Sequence, residues 1–563
     1  MASEIVKKSV VRKTVLGVMV GASALAAAMG GLTPYASEEA AALAGDARCD
    51  FSNDGLPDSV TGIPGRTVNG KKGAGAIMVR YQFAGLEFPV MYESAGLTPG
   101  TGNHYGAALA CGDFNGDGNT DLAIGAPGYG GDAGAVVVMY SDGNELTTTA
   151  AFTQDTAKGG YNVPGVKEAG DLFGWSLAAG DFNNDGEDDL AIGVPGEDVT
   201  ISGKAYTNFG SVVVLNGSGA SGITANGVMF DSTDTNSEWM LKDHYARYGY
   251  SLAVGDFDAD YIEDLAVGIP GASVQDFHSK DKFHRVGAVH ELRGHHHSGL
   301  ANHQYFWENL WYPNDNPEEY DYFGFAVAAG DIDGNGLDDI AIGAPGDWAS
   351  LNFPPCDDDV CEADYESRPG RLFIVKHTED QFGNASYIYS SYSQGDPGVP
   401  GVAEEEDSFG VSVAIGQFDG QLGEDIAVGA PGENGHGVVV VFYSGGFREL
   451  IWQSDAADAT LKLDEWFGFS LAVTDQNADG VDDLLVGSPH EDVANIGNSG
   501  ATATIFGHFN ANGLGGGTTF DLSENDGFQD WDPNGTDHEW QMPVKWWYET
   551  NHSGENYGFA LVG

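Results

Sequence analysis

A 24-residue phrase recurs along this chain and constrains its fold more than any other feature. The first copy, at residues 105–128, reads YGAALACGDFNGDGNTDLAIGAPG. Five further copies begin at residues 173, 248, 323, 409 and 467, and the last two differ most from the first. Repetition on this scale is typical of proteins in which each copy is one supersecondary unit that packs against the next.

Each copy places a polar loop between two short apolar runs. In the first copy, Ala107–Cys111 and Leu122–Ala126 read as strands on either side of the loop 113–121. Gly134–Tyr140, rich in β-branched residues, predicts a third strand, and Glu145–Phe152 predicts a more polar fourth. Equivalent third strands are predicted at Gly210–Leu215, Gly287–Leu292, Gly370–Val375, Gly437–Phe442 and Gly500–Phe506. Four antiparallel strands per copy are typical of a propeller blade.

The two ends of the chain complement each other. Residues 556–563, NYGFALVG, repeat the opening strand without its loop, and residues 49–65 supply a loop and a second strand. We therefore predict an all-β fold for residues 47–563, a seven-bladed β-propeller with four-stranded antiparallel blades. Pairing of the N- and C-terminal segments in one composite blade, 556–563 with 49–100, would close the ring. The alternative is a truncated chain in which Ala41–Gly45 forms a local first strand, although alanine-rich sequence forms strands poorly.

The polar loops carry oxygen-bearing residues at alternate positions. In DFNGDGNTD these are Asp113, Asn115, Asp117, Asn119 through its carbonyl, and Asp121. Calcium takes six to eight oxygens at about 2.3–2.6 Å, and this spacing can supply them. The loop joins two strands and lacks the twelfth-position glutamate of an EF-hand. The corresponding residues of the other regular loops are Asp181, Asn183, Asp185, Glu187 and Asp189; Asp256, Asp258, Asp260, Ile262 and Asp264; Asp331, Asp333, Asn335, Leu337 and Asp339; and Asp475, Asn477, Asp479, Val481 and Asp483.

Three loops depart from this pattern. The loop of the composite blade offers Asp50, Ser52, Asp54 and Asp58, with a weak third ligand, and the loop 256–264 has Tyr261 in place of the turn glycine. The loop 417–425 has Gln417 and Gln421 where acids are expected, which predicts that it holds no calcium. One such loop alone could be a solvated acidic turn, but five in register predict about five to six Ca²⁺ ions with a structural role.

The charge of the chain limits its partners. It has 84 acidic residues against 24 lysines and arginines, a formal net charge of −60. Nucleic acid is excluded as a partner because phosphate binding needs a basic surface. Such acidity predicts calcium binding, a high-salt milieu, or both.

The N-terminus resembles a secretory signal. Lys7, Lys8, Arg12 and Lys13 precede the apolar run Val15–Leu32. We predict a signal peptide over residues 1–36 and a short linker over 37–46, with an uncleaved membrane anchor as the alternative. No later segment is long and apolar enough to span a bilayer. The mature chain is therefore expected outside the cytoplasm, either secreted or at the cell surface.

Four cysteines fit an oxidising compartment. Cys356 and Cys361 bracket the acidic loop CDDDVC and predict a local disulfide. Cys49 and Cys111 each lie just before an acidic loop of neighbouring repeats, which predicts a second disulfide. Free buried thiols are the alternative.

The order FG, strand, acidic loop, strand, GAP resembles the FG-GAP repeat. Phe173-Gly174 with Gly193-Val194-Pro195, and Phe323-Gly324 with Gly343-Ala344-Pro345, carry the match most clearly. The chain resembles the propeller of integrin α subunits. That resemblance implies ions on one face of the ring and protein ligands on the opposite face. The sequence shows no inserted adhesion domain, leg domain or membrane span, which favours a secreted relative over a true integrin subunit.

Other residues could carry chemistry, but each also has a structural reading. His295, His296 and His297 form a run that could bind a transition metal or simply be an exposed turn. Two aromatic clusters could stack on sugars or pack between blades: Trp307, Trp311 and Tyr312, and Trp546, Trp547 and Tyr548. Some polysaccharide lyases use His, Tyr and Arg on a propeller, and His284, Arg285 and Tyr245 are the candidates here.

These observations favour a secreted, non-catalytic propeller that binds or adheres to an extracellular protein or glycan. The alternatives are a secreted lyase or hydrolase that acts on polysaccharide, and a structural component of the cell envelope. The face opposite the acidic loops discriminates between them. A cleft with converging His, Tyr and Arg would favour the enzyme, and a broad surface rimmed by aromatic residues would favour binding.

Overall fold

The computed structural model describes residues 49–83, 86–158, 160–233, 240–275, 282–308, 320–347, 369–379, 385–404, 407–452, 466–489, 501–507 and 561–562. Within these ranges the chain is almost entirely β-strand and loop. The helical segments described there are single turns at Tyr129–Asp132, Gly219–Ser221 and Glu433–Gly435.

The strands follow one another along the chain with short connections. In order they are β1 (Ser59–Ile63), β2 (Ala76–Phe83), β3 (Leu86–Glu93), β4 (Ala108–Gly112), β5 (Asp121–Ala126), β6 (Ala135–Ser141), β7 (Leu146–Phe152), β8 (Ala157–Lys158), β9 (Tyr161–Asn162), β10 (Leu177–Gly180), β11 (Asp189–Val194), β12 (Val199–Ile201), β13 (Lys204–Tyr206), β14 (Ser211–Leu215), β15 (Gly227–Phe230), β16 (Met240–Leu241), β17 (Ser251–Gly255), β18 (Asp264–Ile269), β19 (Ser273–Gln275), β20 (Lys282–Phe283), β21 (Ala288–Arg293), β22 (Ala301–Phe306), β23 (Ala326–Gly330), β24 (Asp339–Ala344), β25 (Arg371–Glu379), β26 (Ala385–Tyr392), β27 (Ser412–Gly416), β28 (Asp425–Ala430), β29 (Val438–Phe442), β30 (Arg448–Trp452), β31 (Ser470–Thr474), β32 (Asp483–Ser488), β33 (Ala501–Ile505) and β34 (Leu561–Val562).

Most strands belong to antiparallel sheets of one design. Their orders are β34-β1-β2-β3, β4-β5-β6-β7, β10-β11-β14-β15, β17-β18-β21-β22, β23-β24-β25-β26, β27-β28-β29-β30 and, within the described residues, β31-β32-β33. This is the blade topology of a β-propeller. Three small sheets, β8-β9, β12-β13 and β16-β19-β20, lie in the connections between or within these blades.

The second strand of a blade is covered on both faces. All six residues of β5, β11, β18, β24, β28 and β32 are buried. Each of these strands reads as a continuous apolar run because one blade packs on each side of it. The core is therefore a series of layers between neighbouring blades, as in the cluster that joins Phe182 and Val212 to Tyr248 and Val267.

Glycine allows the second strand of one blade to approach the FG turn of the next blade closely. Gly125 of the GAP motif lies against the carbonyl of Gly174 in the next FG motif, and a Cβ on Gly125 would overlap with that oxygen. The same approach recurs between Gly193 and Gly249 and between Gly268 and Gly324. Glycine is required here because two backbones meet directly. The FG-GAP motif is thus a contact between blades as well as a pattern within one.

The first sheet combines the two ends of the chain. β34 pairs antiparallel with β1, with Val562 opposite Val60 and Leu561 opposite Thr61. The first strand of each blade contacts the first strand of the next blade, in the order β4, β10, β17, β23, β27 and β31. β34 contacts both β31 and β4. The Cys49–Cys111 disulfide is present and joins this first sheet to the second. The alternative first strand at 41–45 lies outside the described residues, and so does the start of the predicted C-terminal strand at 556–560.

Candidate metal centres and the face opposite them

The predicted metal loops join the first and second strands of each blade. In the loop between β4 and β5, both carboxylate oxygens of Asp113 accept backbone N–H groups, Oδ1 from Asp117 at 3.1 Å and Oδ2 from Gly118 at 2.8 Å. Gly118 has a φ of 86°, which glycine adopts without strain. The first aspartate therefore shapes the loop through its own hydrogen bonds.

The first aspartate of the other predicted metal loops makes the same pair of bonds. The donors are Asp54 and Gly55 for Asp50, Asp185 and Gly186 for Asp181, Asp260 and Tyr261 for Asp256, Asn335 and Gly336 for Asp331, and Asp479 and Gly480 for Asp475. Tyr261 adopts a φ of 66° and still donates its N–H. Replacement of the turn glycine has therefore not changed the path of that loop.

The ninth residue of each loop is a buried aspartate. Asp121 is fully buried, and its Oδ1 accepts the N–H of Ser141 at 2.9 Å. Burial raises the pKa of Asp121 to about 8, because the charged form is poorly solvated there. Burial likewise raises the pKa of Asp264, Asp339 and Asp483 to about 8 and that of Asp58 and Asp189 to about 7. A divalent cation would compensate this cost, and so the donor set fits a hard ion such as calcium.

Carboxylates converge most closely in two loops. One oxygen each of Asp256, Asp258 and Asp260 lies within 4.8 Å of the others, and so do oxygens of Asp331, Asp333 and Asp339. In both loops a basic side chain from another strand contacts the aspartate at the third position. Arg293 Nη1 lies 2.7 Å from Asp258 Oδ2, and Lys376 Nζ lies 3.7 Å from Asp333 Oδ2. Part of the negative charge at these two loops is therefore balanced by the chain itself.

Three other loops have asparagine at the third position, and in two of them its side chain bonds the ninth residue. Asn115 Nδ2 donates to Asp121 Oδ2 at 3.1 Å, and Asn183 Nδ2 donates to Asp189 Oδ2 at 3.0 Å. The third and ninth ligand positions therefore lie within hydrogen-bonding distance of each other, as one shared ion would require. In the composite blade, Ser52 Oγ lies 3.4 Å from Asp50 Oδ1.

The loop 417–425 is closed by an amide. Gln417 Nε2 donates to the carbonyls of Gln421 at 2.6 Å and Gly423 at 2.9 Å. A donor thus occupies the position of the first carboxylate, which supports the prediction that this loop binds no calcium. Asp425 keeps the buried ninth position and accepts from Ser444.

Sequence reasoning missed the acid at the eighth position, which links neighbouring loops. Asp188 Oδ2 accepts the N–H of Asp113 at 2.7 Å, and the Asp188 N–H donates to the Asp113 carbonyl at 3.0 Å. The corresponding pairs are Glu263 with Asp181, Asp338 with Asp256, Glu424 with Asp331, and Asp482 with Gln417. Burial raises the pKa of Glu263 to about 7 and that of Glu424 to about 8. Consecutive acids at the eighth and ninth positions were the available sequence signal.

The composite blade lacks this link on both sides. Thr120 and Pro57 occupy the eighth positions of the two loops concerned. Instead, Ser141 Oγ donates to the Phe51 carbonyl at 2.6 Å and Gln82 Nε2 donates to the Gln476 carbonyl at 2.6 Å. The Cys49–Cys111 disulfide lies at the same junction as the Ser141 bond.

Aromatic and basic side chains gather at the opposite end of the first strands. Trp175, Tyr250 and Phe325, each directly after an FG-type glycine, form a row with ring centroids 5.3 and 4.9 Å apart. Next to this row the guanidinium of Arg285 lies 5.6 Å from the ring of Tyr245 and 5.5 Å from the ring of Tyr320. Tyr245 is 41% exposed. Trp175 and Tyr250 are buried, so the aromatic surface at this end of the blades consists of Tyr245 and Tyr320 with the Arg285 guanidinium beside both rings.

Two of the three lyase candidates lie together here. Arg285 stacks on Tyr245, as above. His284 Nδ1 lies 3.2 Å from Asp243 Oδ2 and 3.5 Å from Ser273 Oγ. Both contacts use the same ring nitrogen, and Ser273 is 1% exposed. A serine–histidine–acid relay needs one contact on each nitrogen, so this group is not such a relay.

A buried ionic cluster lies beside the loop 256–264. Glu291 is fully buried, and its two carboxylate oxygens contact Arg293 Nε at 2.8 Å and His377 Nε2 at 3.4 Å. His303 Nε2 lies 3.3 Å from the Tyr387 hydroxyl and 3.7 Å from Glu291. His, Tyr and Arg thus converge at a buried carboxylate, at residues that sequence reasoning did not select.

The remaining predicted residues lie elsewhere. His295–His297 form the exposed turn between β21 and β22, where the His297 N–H donates to the Asn183 carbonyl at 2.8 Å. Trp307 is buried. Trp311, Tyr312, Trp546, Trp547, Tyr548, Cys356 and Cys361 lie outside the described residues.

Comparison with known proteins agrees with the repeat pattern. A family model described as "FG-GAP repeat" matches residues 105–139, 173–215, 323–349 and 467–505. The integrin alpha pat-2 of Caenorhabditis briggsae is 31% identical over 257 residues, 44% of this chain and 18% of that protein. The integrin alpha-5 of Xenopus laevis is 28% identical over 250 residues, 43% of this chain and 20% of that protein.

One enzyme also matches over a longer stretch. The human phosphatidylinositol-glycan-specific phospholipase D is 25% identical over 418 residues, 68% of this chain and 43% of that protein. The chain spans less than half the length of each of these relatives. Among the helices within the described ranges, none has the length and apolar character needed to cross a membrane. The motif, the blade topology and these matches agree: the chain carries FG-GAP repeats and resembles integrin α subunits.

Proposed function

We propose that this chain is an exported, calcium-stabilised propeller of seven blades that binds an extracellular protein or glycan and is not itself an enzyme. Seven blade-type sheets, the successive contacts of their innermost strands and the pairing of β34 with β1 support a closed ring. The Cys49–Cys111 disulfide supports an oxidising compartment. The shaped loops with their buried ninth aspartates support calcium as the structural ion.

The aromatic surface carries the proposal of ligand binding. Tyr245 is exposed and Tyr320 and Arg285 are half-buried, and the three form one group at the end of the blades opposite the acidic loops. Aromatic rings beside a guanidinium provide stacking area and a fixed charge, which anchor sugar rings and protein partners alike. In a chain with a net charge of −60, a surface arginine stacked on two tyrosines is a distinct local feature.

Binding can be tested on immobilised extracellular proteins and glycans with the calcium-loaded chain. We expect Tyr245→Ala and Arg285→Ala to weaken binding of any captured ligand at least tenfold. Tyr261→Ala is the matched control, because Tyr261 is 79% exposed but lies in an acidic loop at the other end of the blades. Equal loss in all three variants, or in none of them, would contradict the assignment of this surface.

Hydrolysis or elimination on the propeller is the second candidate. The cluster of Glu291, Arg293, His303 and Tyr387 favours it, as does the match to a phospholipase D. Activity on phosphodiester-linked glycolipids or on polysaccharides would be measured with wild-type protein and with His303→Ala. Turnover that disappears in this variant, while the melting temperature stays unchanged, would replace the binding proposal with an enzymatic one.

A further inference from the structure

A second motif recurs at two places in the chain, outside the acidic loops. Residues 163–174 read VPGVKEAGDLFG and residues 399–410 read VPGVAEEEDSFG. Each is preceded by a glutamine just after the fourth strand of a blade, Gln154 or Gln394, and is followed by a glutamate just after the PG turn, Glu197 or Glu433. The other described blade junctions do not carry this full set.

The motif gathers two carboxylates and an amide in the interior. In the first copy, Gln154 Nε2 donates to Glu197 Oε2 at 2.7 Å, and the Gly196 N–H donates to the Asp171 carbonyl at 3.0 Å. In the second, Gln394 Nε2 donates to Glu433 Oε2 at 2.8 Å, and the Gly432 N–H donates to the Asp407 carbonyl at 3.1 Å. The backbone bond thus brings aspartate and glutamate together in the same way twice.

The amide oxygens are the independent observation. Gln154 is 4% exposed and Gln394 is 2% exposed, yet Oε1 of each has no hydrogen-bond partner. Gly165 and Gly401 of the VPG turns, at φ of 98° and 101°, pack directly on these amides and fix their positions. An unsatisfied buried acceptor is costly, and here it occurs twice beside a pair of buried carboxylates.

Like charges buried together must be compensated. Asp171, Glu197, Asp407 and Glu433 are all buried, and in each pair the charge of the glutamate adds to the burial that raises the pKa of the aspartate. The pair must share a proton or hold a cation. A shared proton would compensate the charge but would leave the amide oxygen without a partner, whereas a cation would satisfy all three groups. Two carboxylates and an amide oxygen form a hard, all-oxygen donor set.

We propose that these two clusters are internal binding sites for a hard divalent cation, calcium in an extracellular setting. Asp171, Glu197 and Gln154 would hold one ion, and Asp407, Glu433 and Gln394 the other. Each ion would connect the last strand of one blade to the first strand of the next, at the end of the blades opposite the acidic loops. The ring would then carry structural ions on both faces.

The test counts bound calcium per chain by equilibrium dialysis of the full-length protein at millimolar calcium. Glu197→Gln and Glu433→Gln should each lower the count by one and the double variant by two. Glu168→Gln and Glu404→Gln are matched controls, because each residue belongs to the same motif, has an exposed side chain and donates its backbone N–H to the aspartate of the cluster. Asp121→Asn tests calcium binding by an acidic loop separately. If the acidic loops bind no calcium, the wild-type chain will bind fewer ions, but Glu197→Gln and Glu433→Gln will each still bind one ion fewer than the wild type.

A thermal measurement covers variants that fold poorly. The rise in melting temperature on going from chelator to calcium should be smaller in Glu197→Gln and Glu433→Gln than in their controls. The proposal is overturned if Glu197→Gln and Glu433→Gln bind as many calcium ions as the wild type and show the same calcium-dependent rise in melting temperature. Each carboxylate pair would then share a proton.

Discussion

The junction between the composite blade and the next one offers a sharp test of how neighbouring blades are held together. Thr120 stands where five other junctions have a linking acid, and the Cys49–Cys111 disulfide lies there instead. The two cysteines are 62 residues apart, and a loop of that length lowers the entropy of the unfolded chain by an amount worth about 4 kcal/mol. We therefore expect Cys49→Ser with Cys111→Ser to lose about 4 kcal/mol of unfolding free energy.

The measurement is urea unfolding in saturating calcium, followed by tryptophan fluorescence and circular dichroism. The wild type with a reductant should approach the double variant, whereas the variant should respond less, through the predicted Cys356–Cys361 disulfide alone. The Ser141–Phe51 bond remains in both proteins and keeps the junction in contact when the disulfide is absent. An unchanged midpoint and slope in the variant would refute the view that the disulfide replaces the missing acid at this junction.

Three further outcomes are expected. In chelator, the melting temperature should fall as pH rises from about 4 to about 8. Burial raises the pKa of the ninth aspartates from 3.8 to about 7–8, so the folded chain binds more protons than the unfolded chain in that range. In calcium, melting curves should show no such fall with pH, or the opposite trend. Gln417→Asp with Gln421→Asp should add one bound calcium per chain, while Leu422→Asp, which adds an exposed carboxylate to the same loop, should add none by equilibrium dialysis. Gly125→Ala should cost about 1–3 kcal/mol in urea unfolding, because its methyl would meet the Gly174 carbonyl of the next blade, whereas Gly131→Ala, with nothing within 4 Å, should show only the smaller cost of its left-handed φ.

Local sequence patterns predicted the strand boundaries of the first full blade almost to the residue. The predicted strands of the first full blade, such as Leu122–Ala126, differ by one residue or less from β5 and its neighbours. The Cys49–Cys111 pairing was predicted because each cysteine lies just before an acidic loop of neighbouring repeats, and the structure contains it. These features depend on periodicity and repeat register, which are properties of the linear sequence.

The sequence by itself determined the repeat, the blade strands and the alternation of oxygen ligands, because each of these depends on residues close together in the chain. Only the tertiary structure decided what neighbouring blades do to each other. It placed Asp188 on the backbone of Asp113, Arg293 on Asp258, and Gln154 on Glu197. These contacts join residues separated by 35 to 75 positions, and no local pattern specifies which side chains meet across that distance.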